Sequence, residues 1–152
     1  MDRIHADIDA LHGLHRAMAH FRLAGRSMAD RGNDQIAVTR ASLEAEASRC
    51  RSRLEQGHAD LGACRQRAAE SAATGNGPVD CSEQAEAVSE AEERLERIRR
   101  WQYRIDQEAS EFLGVASRFR ALLEDDLPRT EDHLLAIIAS LEGALRLQAP
   151  GT

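Results

Sequence analysis

Val88, Ala91, Leu95, Ile98, Gln102, Ile105, Ala109, Phe112, Ala116, Phe119 and Leu123 follow one another at alternating intervals of three and four residues. Only a long helix gathers such a series onto one side, and the interval is that of a coiled-coil seam. The seam therefore predicts a helix from Cys81 to Leu127, about 70 Å long at the usual rise. Asp80 followed by Glu83 reads as a capping box at its start, and Pro128, which has no N–H to give, reads as its end. The flanks of the seam divide this helix. Glu92, Arg94 and Arg99 leave only a narrow apolar stripe in the first half. Trp101, Leu113, Val115, Leu122 and Leu127 widen the stripe in the second half, which calls for more than one neighbour.

A second seam precedes it: Ile36, Arg40, Leu43, Ala47, Cys50, Leu54, Gly57, Leu61, Cys64 and Ala68. Its flanks are charged nearly throughout, and its small residues permit close approach of a partner helix. Gly57 costs about 1 kcal/mol relative to Ala inside a helix, so its place on the seam implies that packing needs the space. Between the two seams lies SAATGNGPVD, Ser71 to Asp80. Gly75, Asn76, Gly77 and Pro78 end one helix and release the next, and so short a connection makes the two helices antiparallel neighbours. Pairing about Asn76 would set Asp60 near Arg94, Arg67 near Glu86 and Arg53 near Trp101.

The flanking segments read as two further helices. Ile4, Ile8, Leu11, Leu14, Met18, Phe21 and Met28 form a broad face from Asp2 to about Asp30, closed by turn chemistry at Arg31-Gly32-Asn33-Asp34. Leu134, Leu135, Ile137, Ile138, Leu141, Leu145 and Leu147 form another from Pro128 to about Leu147. The expected architecture is an all-α single domain of four helices. A long antiparallel coiled-coil hairpin of helices 2 and 3 projects as an arm (54–97, loop 71–80) from a four-helix bundle base (2–53 and 98–147), leaving a frayed tail at 148–152.

Composition narrows the function classes. Aromatic residues are 3% and charged residues 30%, the profile of a helical bundle or coiled coil. A net charge of -6 argues against a general nucleic-acid binder, because phosphate neutralisation needs a basic surplus. All 20 basic residues are arginine, a habit of GC-rich bacterial genomes. No apolar run has the length of a membrane span, and the N-terminus lacks the order of a signal peptide, so a cytoplasmic location is expected, with export by a signal-less route as the alternative.

No nucleophile elbow, phosphate loop, dinucleotide fingerprint or catalytic carboxylate pair occurs, and no cofactor is expected. His5, Asp9 and His12 share a helical stripe with metal-ligand spacing and are the weak metal candidates, with His133 beside Asp132 as a further one; rim histidines are the simpler reading. Cys50 and Cys64 occupy seam positions as small apolar residues. Reduced thiols are the expectation, because the simple hairpin register holds Cys64 and Cys81 too far apart for a disulfide; a bridge requires helix 2 to end early and the chain to double back. Arg94, Arg97, Arg99, Arg100 and Arg104, faced by Arg51 and Arg53 across the hairpin, form an arginine belt suited to an acidic partner segment, with Trp101 at its edge. Trp101 is followed by Gln102 and Tyr103 inside a predicted helix, so the Trp-x-Gly turn of the WXG100 secreted class is not matched and no family is assigned. These features point to a non-enzymatic protein–protein interaction module: an adaptor, assembly subunit or chaperone-like coiled coil. Pairing into a homodimer is the economical cover for a narrow seam. A small helical protein of a specialised secretion system and a His-based metal-dependent protein are the alternatives.

Overall fold

The computed structural model describes residues 2–148, and these are helical almost throughout, with no strand. Helix α1 runs from Asp2 to Thr74 and α2 from Ser82 to Ala121; a π turn at Leu122–Asp126 joins α2 directly to α3, Leu127–Gln148. The chain is thus all-α, as expected, but it has two helical runs, 2–74 and 82–148, where four helices and a four-helix base were expected. Beyond Gln148, which closes α3, the expected frayed tail lies outside the described residues.

The expected turn at Arg31–Asp34 is absent because Gly32 serves packing, not a reversal. A Cβ built on Gly32 would collide with the Phe112 ring, and one on Gly25 would lie 2.9 Å from the Phe119 ring. Both glycines keep α1 helical and give an aromatic ring room against the backbone. The turn composition of Gly32-Asn33 was therefore a false signal.

The expected break at Pro128 is absent for a different reason. Buried and half-buried positions along the second run step by sevens from Leu95 through Gln102, Ala109 and Ala116 to Leu123, then by eight to Glu131, and by sevens again to Ile138 and Leu145. One extra residue has entered the heptad series between Leu123 and Glu131. The π turn takes it up, its Leu127 N–H donating to the Leu122 carbonyl five residues back instead of four. Pro128, which has no N–H to donate and in an ordinary α turn would press its ring on the preceding turn, follows this widened turn immediately. The seam stays in phase, and the backbone passes the proline as a helix. Deleting Asp125 together with Pro128→Ala should restore plain heptads and leave cooperative thermal unfolding intact. The same one-residue deletion at exposed Glu93 should rotate seam residues outward, each worth about 1.5–3 kcal/mol, and abolish that cooperativity. Equal damage from both deletions would show that the π turn does not absorb the extra residue.

The molecule divides into two compact units: Met1–Asp34 with Glu111–Thr152, and Gln35–Ser110. In the second unit, Ala47, Cys50, Leu95 and Ile98 form the buried centre, with Leu43 and Leu54 packed against it. Gly57 meets Val88, the close approach its seam position implied. The hairpin register differs from pairing about Asn76. Gly57 packs against Val88 and Cys64 is joined to Cys81, a displacement of about two helical turns. Its cause is the connection. Gly75, at φ +73°, closes α1 with a Schellman pair, Asn76 N–H to the Ser71 carbonyl and Gly75 N–H to that of Ala72. The chain then turns back along α1, held by the Ser71 hydroxyl donating to the Gly77 carbonyl at 2.7 Å. Residues 75–81 thus retrace the end of α1 before α2 begins. This doubling-back brings the Cα atoms of Cys64 and Cys81 to 5.9 Å, and the two are joined as a disulfide.

In the first unit Ile8, Leu134 and Ile138 are buried, with Leu11, Met18, Leu141 and Leu145 around them. Ala29, Ala116 and Leu123 continue this core. Arg22 reaches the buried Glu131 at 3.3 Å, a charged pair set into the seam. Burying charge adds little net stability, but a lone polar layer penalises every register that would leave it unpaired.

Candidate interaction surfaces

The arginine belt lies in the second unit, and the structure meets it with glutamates in addition to arginines. Arg51 donates to Glu44 at 2.6 Å, and Arg94 pairs with Glu46, which Arg49 also holds at 2.6 Å. Glu44 accepts from Gln102 as well. Arg97, Arg99 and Arg100 line a shallow groove with Glu92, Glu93 and Glu96 beside Leu54 and Leu95. Arg53 is exposed on the opposite helix and makes no contact with Trp101. Arg104 takes that place, its guanidinium 5.5 Å from the indole centroid, while also pairing with Glu108. Trp101 itself is 54% exposed, so it stands on the surface of the unit. Asp60 accepts from Gln56 on its own helix instead of meeting Arg94. The belt is a mixed-charge surface, arginines interleaved with their counter-ions.

Those ion pairs set the titration of the carboxylates. Glu44 is held below the usual glutamate value by its hydrogen bond from Arg51, then by Gln102. Glu46 is held down by Arg49 first and by Arg94 as well, against a partial desolvation. Groups depressed in the folded state stabilise it above their unfolded pKa, and that contribution fades as pH falls through the folded value. The stability advantage of the natural chain over Glu46→Gln should therefore be present at pH 7 and shrink as pH falls below the usual glutamate range, read from paired thermal melts. An advantage unchanged at pH 3 would show that Glu46 acts by packing.

At the start of the second run, Asp80 accepts from the Ser82 N–H at 3.0 Å and from its hydroxyl, which draws its pKa below the usual aspartate value. The Cys81 carbonyl accepts the first helical bond, from Ala85. Asp80 thus steadies the turn before α2, and no reciprocal contact from Glu83 completes the capping box expected there.

The metal candidates lie in the first unit. His5, Asp9 and His12 border one shallow groove with Glu142, a residue the sequence reading passed over, and His12 Nε2 lies 3.1 Å from Glu142 Oε1. Among the described residues no three ligating side chains converge in a geometry that would hold a metal ion.

The first unit carries the surface that sequence reasoning folded into the core. With two helical runs in place of four helices, the widened apolar stripe has no intramolecular cover. Leu14, Phe21 and Met28 on α1 are 50%, 51% and 65% exposed, and Val115, Leu122 and Ile137 on the α2–α3 run are also exposed. Relative to the seam these six residues hold equivalent flanking positions, which face the same side of an antiparallel pair. Phe21 touches the Phe119 ring edge-to-face at 6.2 Å, tying this flank to the core. The ion pairs His12–Glu142, Arg26–Glu124 and Arg120–Asp30 fall on the other flank. The ionic flank also exposes Leu23, Leu113 and Leu135, whereas the flank of Leu14, Phe21 and Met28 carries none of these ion pairs. Among the described residues, no helix is long and apolar enough to cross a membrane. The chain matches no protein-family model, no curated protein and no solved structure, so the reading of these surfaces rests on their own chemistry.

Proposed function

We propose that this chain is a non-enzymatic protein–protein interaction module, an adaptor, assembly subunit or chaperone-like coiled coil, whose contact surface is the apolar flank of the first unit. The observation that carries this reading is the contrast between the units. The second closes its flanks with ion pairs, whereas the first leaves Leu14, Phe21, Met28, Val115, Leu122 and Ile137 open to solvent. A contiguous apolar strip of this kind on a helical pair is suited to receiving further helices. The arginine belt offers a second, polar contact for an acidic segment. Affinity capture with the natural chain and with Leu14→Glu tests the reading. A stoichiometric protein partner, the chain itself or another, should be retained by the first and lost by the second. Identical capture by both, with the natural chain sedimenting alone, would overturn it.

The Cys64–Cys81 disulfide supports a second reading, a small helical protein exported to an oxidising compartment, since such bridges persist outside the reducing cytoplasm. It predicts oxidised protein in the culture supernatant of unlysed cells. Reduced protein confined to the cell would favour the cytoplasmic reading.

A further inference from the structure

A second heptad series runs along α1 beside the one that builds the hairpin: Ala10, Leu14, Ala17, Phe21, Ala24 and Met28, at alternating intervals of four and three, every one exposed. A surface helix with a single buried seam carries polar residues in such places. Here charge appears only one step beyond each end of the series, at Asp7 and Arg31. The stripe is about 27 Å long. Large and small side chains alternate along it without exception, and the order decides what can cover it.

A two-fold axis through the level of Ala19 lays the stripe antiparallel on its own copy. Ala10 then meets Met28, Leu14 meets Ala24, and Ala17 meets Phe21, each contact occurring twice. Every pair sets a bulky side chain against a methyl group, the fit that ridge-into-groove packing asks for. A parallel arrangement would set Phe21 on Phe21 and Ala on Ala, crowding some layers and leaving others empty. The same axis brings Asp7 of one copy to Arg31 of the other, again twice. Among the described residues neither Asp7 nor Arg31 is engaged in an ion pair within the chain. We propose that this stripe docks on the same stripe of a second copy of the chain, antiparallel about Ala19, an inference that rests on the reading of the first unit as an interaction surface. The pairing is isologous and closes on itself, and it places Val115, Leu122 and Ile137 along its edge.

The charges give a test that changes no packing. Asp7 and Arg31 are too far apart on one helix to interact, so coupling between them can arise only across the two-fold axis. Dissociation constants from sedimentation velocity should weaken about tenfold for Asp7→Arg and for Arg31→Asp, each setting two like-charge contacts in the dimer. The double variant should return to within about threefold of the natural chain. Ala24→Asp, at an exposed position, should abolish the dimer while leaving helix content by circular dichroism unchanged. Single variants that weaken association without rescue in the double would overturn the antiparallel order. A natural chain that is monomeric at every concentration would overturn self-docking. If such a monomer still captured a different protein, lost on Ala24→Asp, the interaction reading would survive without this one; no capture at all would remove both.

Discussion

Leu123→Ala should lower the stability of the first unit by about 3–4 kcal/mol, the largest effect of any single side-chain truncation in the molecule. Leu123 is 1% exposed and ends the unbroken heptads that run through α2, one position inside the π turn that follows it. Its Cδ1 lies 3.1 Å from where a Cβ on Gly25 would sit, so the leucine fills space up to the backbone of α1. Truncation removes the buried methyls and leaves a gap that Phe119 and the α1 backbone cannot close together. The thermal midpoint should fall by about 10 °C. Leu122→Ala, its neighbour on the exposed flank, should cost less than about 1 kcal/mol in dilute protein, because little area leaves the core. Equal losses from the two truncations would mean that the π turn places a different residue in the seam.

Breaking the Cys64–Cys81 bridge should cost about 3 kcal/mol, the loop entropy released when a crosslink spanning 17 residues is opened. Cys64→Ala/Cys81→Ala tests this without a reductant. The loss should concentrate at the hairpin end, where hydrogen exchange at Leu61, Ala68 and Val88 accelerates. The core around Cys50 and Leu95 should keep its protection. Thiol counting is the companion measurement: without reductant the unfolded chain should present one thiol, that of Cys50, and three after reduction. Identical melting with and without the bridge would show that the bulge-and-return of residues 75–81 is held by the Schellman closure and the Ser71 contact alone.

How much could be read beforehand depended on whether a residue's role was periodic or steric. Periodicity carried the second unit well. The residues placed on the seams, from Ile36 to Ala68 and from Val88 to Ala109, are buried or half-buried with the exception of Arg40, which leans out to Asp106 at 3.0 Å. Gly57 was read correctly because it stood on a seam between charged flanks. Gly32 stands at the equivalent kind of position, but its neighbour Asn33 made it resemble a turn. Only the contact with Phe112, remote in sequence, distinguishes the two roles. Pro128 misled in the same manner: its chemistry forbids an ordinary α turn and says nothing of a π turn placed before it. The extra residue between Leu123 and Glu131 was the available signal, visible only if the series is counted through the proline. Once Gly32 and Pro128 were taken as breaks, four helices followed, and the apolar flank was assigned to the interior of a bundle. The Cys64–Cys81 bridge turned on how residues 75–81 double back, which spacing does not encode. Among the surface residues, the arginines of the belt were legible, whereas the Arg94–Glu46 pair across the hairpin depended on a register displaced by about two turns.

If the open apolar side of the first unit is an interaction surface, as proposed above, a second copy should take it in the purified protein. Sedimentation equilibrium over a wide concentration range, without reductant so that the bridge stays closed, tests it most directly. The chain mass is 16.8 kDa, and twice that value is expected at high concentration, falling toward the single-chain value on dilution and reduced to it throughout by Ala24→Asp. Single-chain mass at every concentration, identical for the natural chain and Ala24→Asp, would contradict it.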